Sequence, residues 1–324
     1  MDKQIMLAVL AERFKSFLIR LFPDDEINKI IDDIDVSEYK QIKSSRKRFW
    51  QVFGDYGVVL KNEWRGFFGI RIEHERKLAK VAKPKNDTID KAVKLALSKP
   101  LNVTKGVSLD ELLAKFADDE ADRLTAVIRL AHYEGWTNDQ LVRAIRGTKK
   151  GGFKDGILTA TKRQAQMIAR TGTAIISSEA QKEFVAQHGD IVEGVQVIAT
   201  LDTRTSPICR HLDHMIMPID KAKYPPYHHN CRSTTMIVYK GMTAPTKRTS
   251  ASGVTDNVSY YDWLKKQSLE TQEIALGKAR AKLFNSGEIS TERFKALQLD
   301  KNFEPLTLDE MRRLEPKIFE KVFD

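Results

Sequence analysis

The chain has 324 residues, of which 41% are hydrophobic and 30% are charged. This composition is typical of a folded protein with two or three compact units and excludes an intrinsically disordered chain. No apolar run approaches the roughly 20 residues that a membrane-spanning helix needs, so we expect no membrane partner. The amphipathic N-terminal stretch MDKQIMLAVLAERFKSFLIRLF predicts a helix rather than a signal peptide. The chain has only two cysteines, and together with the expected lack of a signal peptide this small number favours a reducing compartment.

Positive charge dominates the chain, whose formal net charge is +10. Such an excess favours a polyanionic partner, such as DNA, or an acidic protein surface. The segment from Lys40 to Lys85 holds 13 lysines and arginines against 4 acidic residues, which nearly equals the excess of the whole chain. The cations that we select as candidate contacts with nucleic acid or an acidic partner are Arg46, Lys47, Arg48, Lys61, Arg65 and Arg71.

The same basic segment is also rich in aromatic residues. Their rings can stack on bases, form a face for docking another protein, or form the core of a helix bundle. The sequence leaves these three interpretations open. The residues concerned are Phe49, Trp50, Phe53, Tyr56, Trp64, Phe67 and Phe68.

Residues 1–82 are predicted to form a helical N-terminal region. Apolar residues recur at three- and four-residue steps on both sides of Pro23, which marks the end of one helix and the start of another. A further helical stretch is predicted from Trp64 to Ala82. Residues 83–106 predict a linker around one short helix, because KPKNDT and SKPLNVTKG are rich in residues that break regular structure.

Residues 107–240 predict a module that begins with helices. Two capping boxes and two terminal glycines set the bounds of its first helices: Ser108 with Glu111, Thr137 with Gln140, Gly135 and Gly147. The basic loop TKKGGFKDG follows, and its spacing matches no phosphate-binding loop. A long helix is predicted from Leu158 to His188. Gly172 within it costs about 1 kcal/mol against alanine, which indicates close packing of a neighbour.

Two short strands are predicted after this helix. Apolar and polar residues alternate from Val195 to Leu201, and the run Thr234–Tyr239 is rich in β-branched residues. Residues 241–258 are small, polar and rich in breakers, which predicts a linker or extended arm. Residues 259–324 predict a tail of short helices. The predicted fold is therefore mainly α with a small α+β module: long helices, a short antiparallel β element flanking a Cys/His loop, and a helical C-terminal tail.

The connection between the two strands holds both cysteines of the chain and four of its seven histidines. Zinc prefers thiolate and imidazole ligands in a tetrahedron, so we expect zinc as the candidate ion and predict no other cofactor. Ser206 stands where a second cysteine would complete a CxxC pair, which leaves the fourth ligand open. The candidate ligands are Cys209, His228, Cys231 and His211, with His214 or Asp213 as alternatives to His211.

The residues of this loop also allow three other interpretations. A disulfide between the two cysteines would close a loop of about 20 residues and gain about 3 kcal/mol, although a reducing compartment opposes it. The string HHN is superficially similar to metal-dependent nucleases, although a β-prone run replaces the helix that their metal site needs. In a purely structural clasp, Asp202 pairs with Arg204, Thr205 or Ser206 caps the turn, and Pro225-Pro226 stiffens the return.

At these residues the chain resembles the phage Mu F-like minor head proteins, or head morphogenesis proteins, of tailed bacteriophages. Their pattern is Leu-Asp at the end of a strand, then Arg-Thr-Ser-x-x-Cys-Arg-x-x-Asp, then Pro-Pro-x-His-x-x-Cys-Arg-Ser. The matching residues are Leu201, Asp202, Arg204, Thr205, Ser206, Cys209, Arg210, Asp213, Pro225, Pro226, His228, Cys231, Arg232 and Ser233. Similarity extends to Arg170-Thr171 and Ala180 before the motif, and to Trp263-Leu264-Lys265 and residues 276–280 after it.

The resemblance implies a non-enzymatic minor virion protein near the portal vertex that helps to assemble the procapsid. It implies the portal protein and the major capsid protein as partners, double-stranded DNA as a further one, and the host cytoplasm as the place of assembly. Some members carry cysteine at the position of Ser206, which would complete a metal set. The alternative is a toxin-like or metal-dependent nuclease effector that uses the Cys/His loop.

Overall fold

In the computed structural model of the chain, residues 24–81, 86–101, 103, 105–241 and 245–323 are described. These residues are mainly α-helical with small antiparallel β elements, which confirms the predicted fold class. The predicted first helix and the stop at Pro23 lie outside the described residues. None of the helices in the described ranges combines the length and the apolar character that crossing a membrane requires.

The described residues form two compact units. The first contains those up to residue 73 and those in 82–180, and the second contains 74–81 and those from 181 onward. The helices of the first unit are α1 Asp24–Asp32, α2 Tyr39–Ala79, α3 Asn86–Ser98, α4 Leu109–Glu134, α5 Asn138–Arg146 and α6 Ile157–Gln187. The last residues of α2 and of α6 belong to the second unit.

One helix of the first unit differs from the sequence prediction, because α2 runs without a break through Trp64, where a separate helical stretch was predicted to begin. Helix α3 is the short helix that was predicted within residues 83–106. Both predicted capping boxes of this unit are present, and Gly135 adopts a left-handed conformation at the end of α4.

Most aromatic side chains of α2 form the core of the first unit. The buried ones are Phe49, Phe53, Tyr56, Trp64 and Phe68, whereas Trp50 is 47% exposed. The Trp64 ring lies against Gly172 so closely that a Cβ on this glycine would be 2.0 Å from the ring carbon Cζ2. The predicted close approach at Gly172 is therefore confirmed, and packing explains the aromatic pattern better than base stacking does.

The second unit is built on a three-stranded antiparallel sheet with the order β2-β1-β3. Its strands are β1 Val192–Ile198, β2 Ile216–Met217 and β3 Thr234–Tyr239. Val195 of the central strand lies opposite Ile237 on one side and Met217 on the other. The second predicted strand is confirmed, while β1 begins three residues earlier than predicted and ends before Leu201.

The segment 241–258 is not the linker or extended arm that its composition predicts. It contains an antiparallel hairpin of β4 Lys247–Ser250 and β5 Gly253–Asp256. Gly253 has a φ of 109°, which glycine adopts without the steric penalty that a side chain would bring to this turn. The hairpin is anchored because Arg248 turns into the interior, where its side chain is 6% exposed.

Short helices complete the second unit. They are α7 Pro207–Leu212 within the Cys/His loop, then α8 Tyr260–Lys265, α9 Leu269–Leu276, α10 Lys278–Asn285, α11 Thr291–Ala296, α12 Leu308–Leu314 and α13 Pro316–Phe323. The predicted helical tail is confirmed, with the capping box of Thr307 and Glu310 at the start of α12. The tail helices share a core with Leu201, the residue that follows the sheet. This core positions the start of the Cys/His loop.

Candidate metal centre

The first part of the Cys/His loop is shaped by the short helix α7. Ser206 is its N-cap, and the Oγ of this serine accepts a hydrogen bond from the backbone N–H of Cys209 at 3.3 Å. Pro207 occupies the first turn, where its missing N–H costs no hydrogen bond. This helix start therefore holds the Cys209 side chain beside Ser206 in the loop interior.

Cys209, His228 and Cys231 converge, with their ligand atoms all within 4.8 Å of one another. The two Sγ atoms are 3.6 Å apart, and Nε2 of His228 lies 3.2 Å from Sγ of Cys209. In a zinc tetrahedron with bonds of about 2.0–2.3 Å, neighbouring ligand atoms are separated by roughly 3.3–3.8 Å. The Sγ–Sγ distance lies within that range and the Nε2–Sγ distance is about 0.1 Å below it, so these three donors are close enough together to share one ion.

His228 presents its unprotonated ring nitrogen, Nε2, to the sulfur atoms. Nδ1 of His228 lies 2.8 Å from the carbonyl oxygen of His229, which only accepts hydrogen bonds, so Nδ1 carries the proton. Nε2 therefore keeps a free lone pair for a metal or for the Ser206 hydroxyl at 2.8 Å. A backbone carbonyl bonded to the remote ring nitrogen is the usual partner of metal-binding histidines.

The two buried thiols affect each other's protonation. The hydrogen bond from Cys209 lowers the pKa of Cys231, and the neighbouring His228 ring lowers it further. The same hydrogen bond raises the pKa of Cys209, and burial adds to the rise. The bond to Cys231 also raises the pKa of His228. The pair therefore carries one thiolate readily, while the second needs a cation, which is the electrostatic situation that a metal ion relieves.

His211 is not part of the cluster, so the prediction that it supplies the fourth ligand is wrong. Its Nδ1 lies 3.2 Å from the carbonyl oxygen of Lys295, and its ring contacts Phe303 edge-on. The alternatives have other partners as well, since His214 bonds Asn257 at 3.0 Å and Asp213 is buried against Arg248. Ser206 instead stands beside the three donors.

Asp202 ties the two ends of the loop together through an ion pair with Arg232. Both guanidinium Nη atoms contact its carboxylate, one of them at 2.8 Å. Thr205 Oγ1 and the backbone N–H of Arg204 donate to the same carboxylate at 3.1 and 3.0 Å. Burial alone would raise the pKa of Asp202, but the bonds from Arg232 and Thr205 lower it below its usual value.

The clasp predicted around Asp202 is therefore present with a different main partner. The Arg204 side chain is 82% exposed and 3.9 Å from Asp202, so its guanidinium is a minor contact. Thr205 bonds the Thr200 carbonyl, and Ser206 performs the capping. The peptide bond between Pro225 and Pro226 is cis.

Sequence reasoning missed the most buried ion pair of the site. Arg248 from β4 donates to both carboxylate oxygens of Asp213, at 3.0 and 3.1 Å. Asp213 caps the C-terminus of α7, and its Oδ1 also accepts from the backbone N–H of Ala199 at 2.7 Å. The sequence pattern that could have predicted the hairpin of Arg248 is TSASGVT, in which a Ser-Gly turn lies between two β-prone segments.

The six basic residues predicted to contact nucleic acid or the portal lie on α2. Four are already within ion-pair distance of carboxylates of the first unit: Arg46 with Asp122, Arg48 with Asp33, Lys61 with Asp110 and Arg65 with Asp90. Lys47 is exposed. Arg71 is only 8% exposed, so selecting it as a surface contact was wrong.

Comparison with known proteins supports the resemblance. Residues 106–236 match the family described as Phage Mu protein F like protein, and this range contains the whole Cys/His loop with its α7 helix. No curated protein and no solved structure matches the chain. Over these residues the chain is similar to the phage Mu F-like proteins, a similarity that suggests a phage head morphogenesis protein.

Proposed function

We propose that the chain is a minor head protein of a tailed phage, located near the portal vertex, where it helps to assemble the procapsid. The match of residues 106–236 to the phage Mu F-like family carries this proposal. Its partners are then the portal protein and the major capsid protein. The chain assembles with them in the host cytoplasm and remains in the virion.

We further propose that the Cys/His loop is a structural zinc clasp. Cys209, His228 and Cys231 would hold the ion, and zinc bound there contributes its binding free energy to folding. The Ser206 cap and the Asp213 ion pair fix the two ends of α7, and the ion pair of Asp202 with Arg232 ties the two ends of the loop together. These contacts supply a rigid shape rather than a substrate-binding cleft, which favours a structural role for this loop.

Contact with packaged DNA is a further part of the proposal. The cations of α2 that face solvent, such as Lys47, are available for it. Its paired cations, such as Arg46 and Arg65, would exchange a carboxylate for a phosphate, and exposed ion pairs are worth only about 0–1 kcal/mol. Binding of this kind falls steeply with added salt because counterions are released from DNA.

The decisive experiment is a virion reconstruction without imposed icosahedral symmetry. We expect density for this chain at the portal vertex, and particles produced without the gene should have assembly defects. Purified virions that lack the chain would overturn the proposal. A plasmid-nicking assay tests the nuclease alternative, because metal-dependent nicking that is lost in His228→Ala would make the loop a catalytic site.

A further inference from the structure

The loop between α5 and α6 has no part in the contacts proposed above for the Cys/His loop or for α2. It comprises Thr148–Gly156, with the sequence TKKGGFKDG, and lies within the first unit. From Arg146 to Arg163 the chain has six basic residues and one acidic residue, Asp155. This is a compact positive segment on a connection between two helices.

The loop is braced by its own polar groups. Asp155 accepts hydrogen bonds from the backbone N–H of Thr148 at 2.7 Å and from the Thr148 hydroxyl at 2.6 Å. The hydroxyl accepts in turn from the backbone N–H of Gly151 at 3.0 Å. The N–H of Phe153 donates to the Thr148 carbonyl at 2.9 Å. These bonds fix the loop conformation before any partner binds, which lowers the entropy cost of binding.

The neck of the loop is closed by two glycines. A Cβ added to Gly156 would lie 2.1 Å from the backbone nitrogen of Gly147, so the two ends of the loop approach each other more closely than any side chain allows. Gly147 also has a φ of 91°, which favours glycine. The neck therefore holds the loop in a defined position between α5 and α6.

The tip of the loop presents cations whose charge no carboxylate neutralises. Lys149, Lys150 and Lys154 are exposed, and the structure shows no ion pair for them within the described part of the chain. The one nearby acid, Asp155, is occupied by Thr148, and this hydrogen bond lowers its pKa. Phe153 lies between these lysines, is 59% exposed and has a φ of 58°. The tip thus differs from α2, where carboxylates pair most of the selected cations.

We propose that the Thr148–Gly156 loop binds double-stranded DNA through its backbone phosphates. The three lysines would each neutralise a phosphate, and Phe153 would contact the sugar edge. DNA is favoured over an acidic protein surface, because each lysine on DNA releases condensed counterions, whereas an exposed lysine–carboxylate pair gains little. This inference deepens the proposed function, on which it rests for the source of the DNA, and moves the main DNA contact from α2 to this loop.

The test is fluorescence anisotropy of the full chain with linear double-stranded DNA of random sequence over a series of salt concentrations. Replacing Lys149, Lys150 and Lys154 together by glutamine should lower the affinity at low salt at least about ten-fold and reduce the salt slope by about 2–3. The matched control replaces Lys91, Lys94 and Lys115, which are exposed lysines of the same unit, by glutamine. This control carries the same change in net charge and should keep most of the affinity.

A second variant, Thr148→Val, keeps every charge and removes the hydroxyl that braces the loop. We expect weaker binding with an unchanged salt slope, because the phosphate contacts remain but the loop must be ordered on binding. The proposal would be overturned if the loop triple variant and the control triple variant lost equal amounts of DNA affinity. It would also be overturned if the unmodified full chain showed no salt-sensitive DNA binding. The virion reconstruction is independent of this assay, so failure of the head-protein proposal is distinguishable from failure of the loop proposal.

Discussion

The buried ion pair between Arg248 and Asp213 allows a sharp prediction about stability. We consider Arg248→Met, which keeps most of the side-chain volume and removes the charge. The Arg248 side chain is 6% exposed and that of Asp213 is fully buried. Arg248 also donates to the backbone carbonyl oxygens of Ala199 and Val258, the latter at 2.9 Å. Methionine satisfies none of these four acceptors.

The expected loss of stability follows from the buried groups that lose their partner in Arg248→Met. Asp213 keeps the N–H of Ala199 but loses the only cation that forms an ion pair with it in the described part of the chain. Removing one partner of a buried pair typically costs about 3–5 kcal/mol because the other charge stays desolvated. Each carbonyl left without a donor adds about 1–3 kcal/mol where water cannot enter. These contributions overlap, so we expect the free energy of unfolding to fall by about 3–5 kcal/mol.

The assay is urea denaturation of the full chain, followed by tryptophan fluorescence, since Trp263 is buried in the same unit. Arg204→Met is the control, because this guanidinium is largely exposed and should cost less than about 0.5 kcal/mol. Replacing Asp213 by leucine as well as Arg248 by methionine should recover much of the loss, because no unpaired charge remains. A loss below about 1 kcal/mol for Arg248→Met would refute the reasoning.

Three further predictions concern the zinc clasp, the loop ion pair and the helix core. Ser206→Cys should raise zinc affinity by adding a thiolate beside the three donors, as measured by competition with a chromophoric chelator, and unchanged affinity would contradict the geometry. Asp202→Asn should destabilise the chain at neutral pH but not in acid. Folding lowers the pKa of Asp202, so the ionised carboxylate stabilises the folded state above the unfolded pKa of about 3.9. This stabilisation is lost as pH falls through the folded pKa, and a stability difference between the chain and Asp202→Asn that persists in acid would argue against the reasoning. Gly172→Ala should cost about 1–3 kcal/mol through the clash with Trp64, whereas Gly66→Ala, where no atom lies within 4 Å, should stabilise α2 by up to about 1 kcal/mol in thermal unfolding; equal effects would contradict the packing argument.

Local signals predicted most of the secondary structure. The Ser108 and Thr137 capping boxes and the left-handed Gly135 set helix ends through hydrogen bonds that lie within a few residues of each other, so the sequence contains the whole interaction. The run Thr234–Tyr239 forms a strand for a similar reason. The convergence of Cys209, His228 and Cys231 was one of the arrangements that the sequence indicated, because a shared metal ion would require these residue types to lie close together.

The missed features depend on contacts between residues far apart in the chain. Nothing local to Arg248 indicates that it meets Asp213, 35 residues earlier, so the hairpin was mistaken for a linker. His211 follows Cys209 closely, yet the turn of α7 directs its ring toward Lys295 and Phe303. The cations of α2 looked free because their carboxylate partners lie on other elements, as Asp122 does for Arg46.

These long-range contacts also define the smallest unit in which the Cys/His loop can have its observed shape. The family match ends at residue 236, before the hairpin that carries Arg248. Helix α7, however, is fixed at its start by Ser206 and at its end by Asp213, whose buried charge needs Arg248. Leu201, at the entrance to the loop, packs in one core with tail residues such as Tyr260 and Phe294. The hydroxyl of Tyr260 also donates to the Asp202 carbonyl at 2.8 Å. The ligand geometry is therefore a property of the sheet, the hairpin and the tail helices together, because removing the last two elements would leave a buried carboxylate unpaired and an apolar residue uncovered.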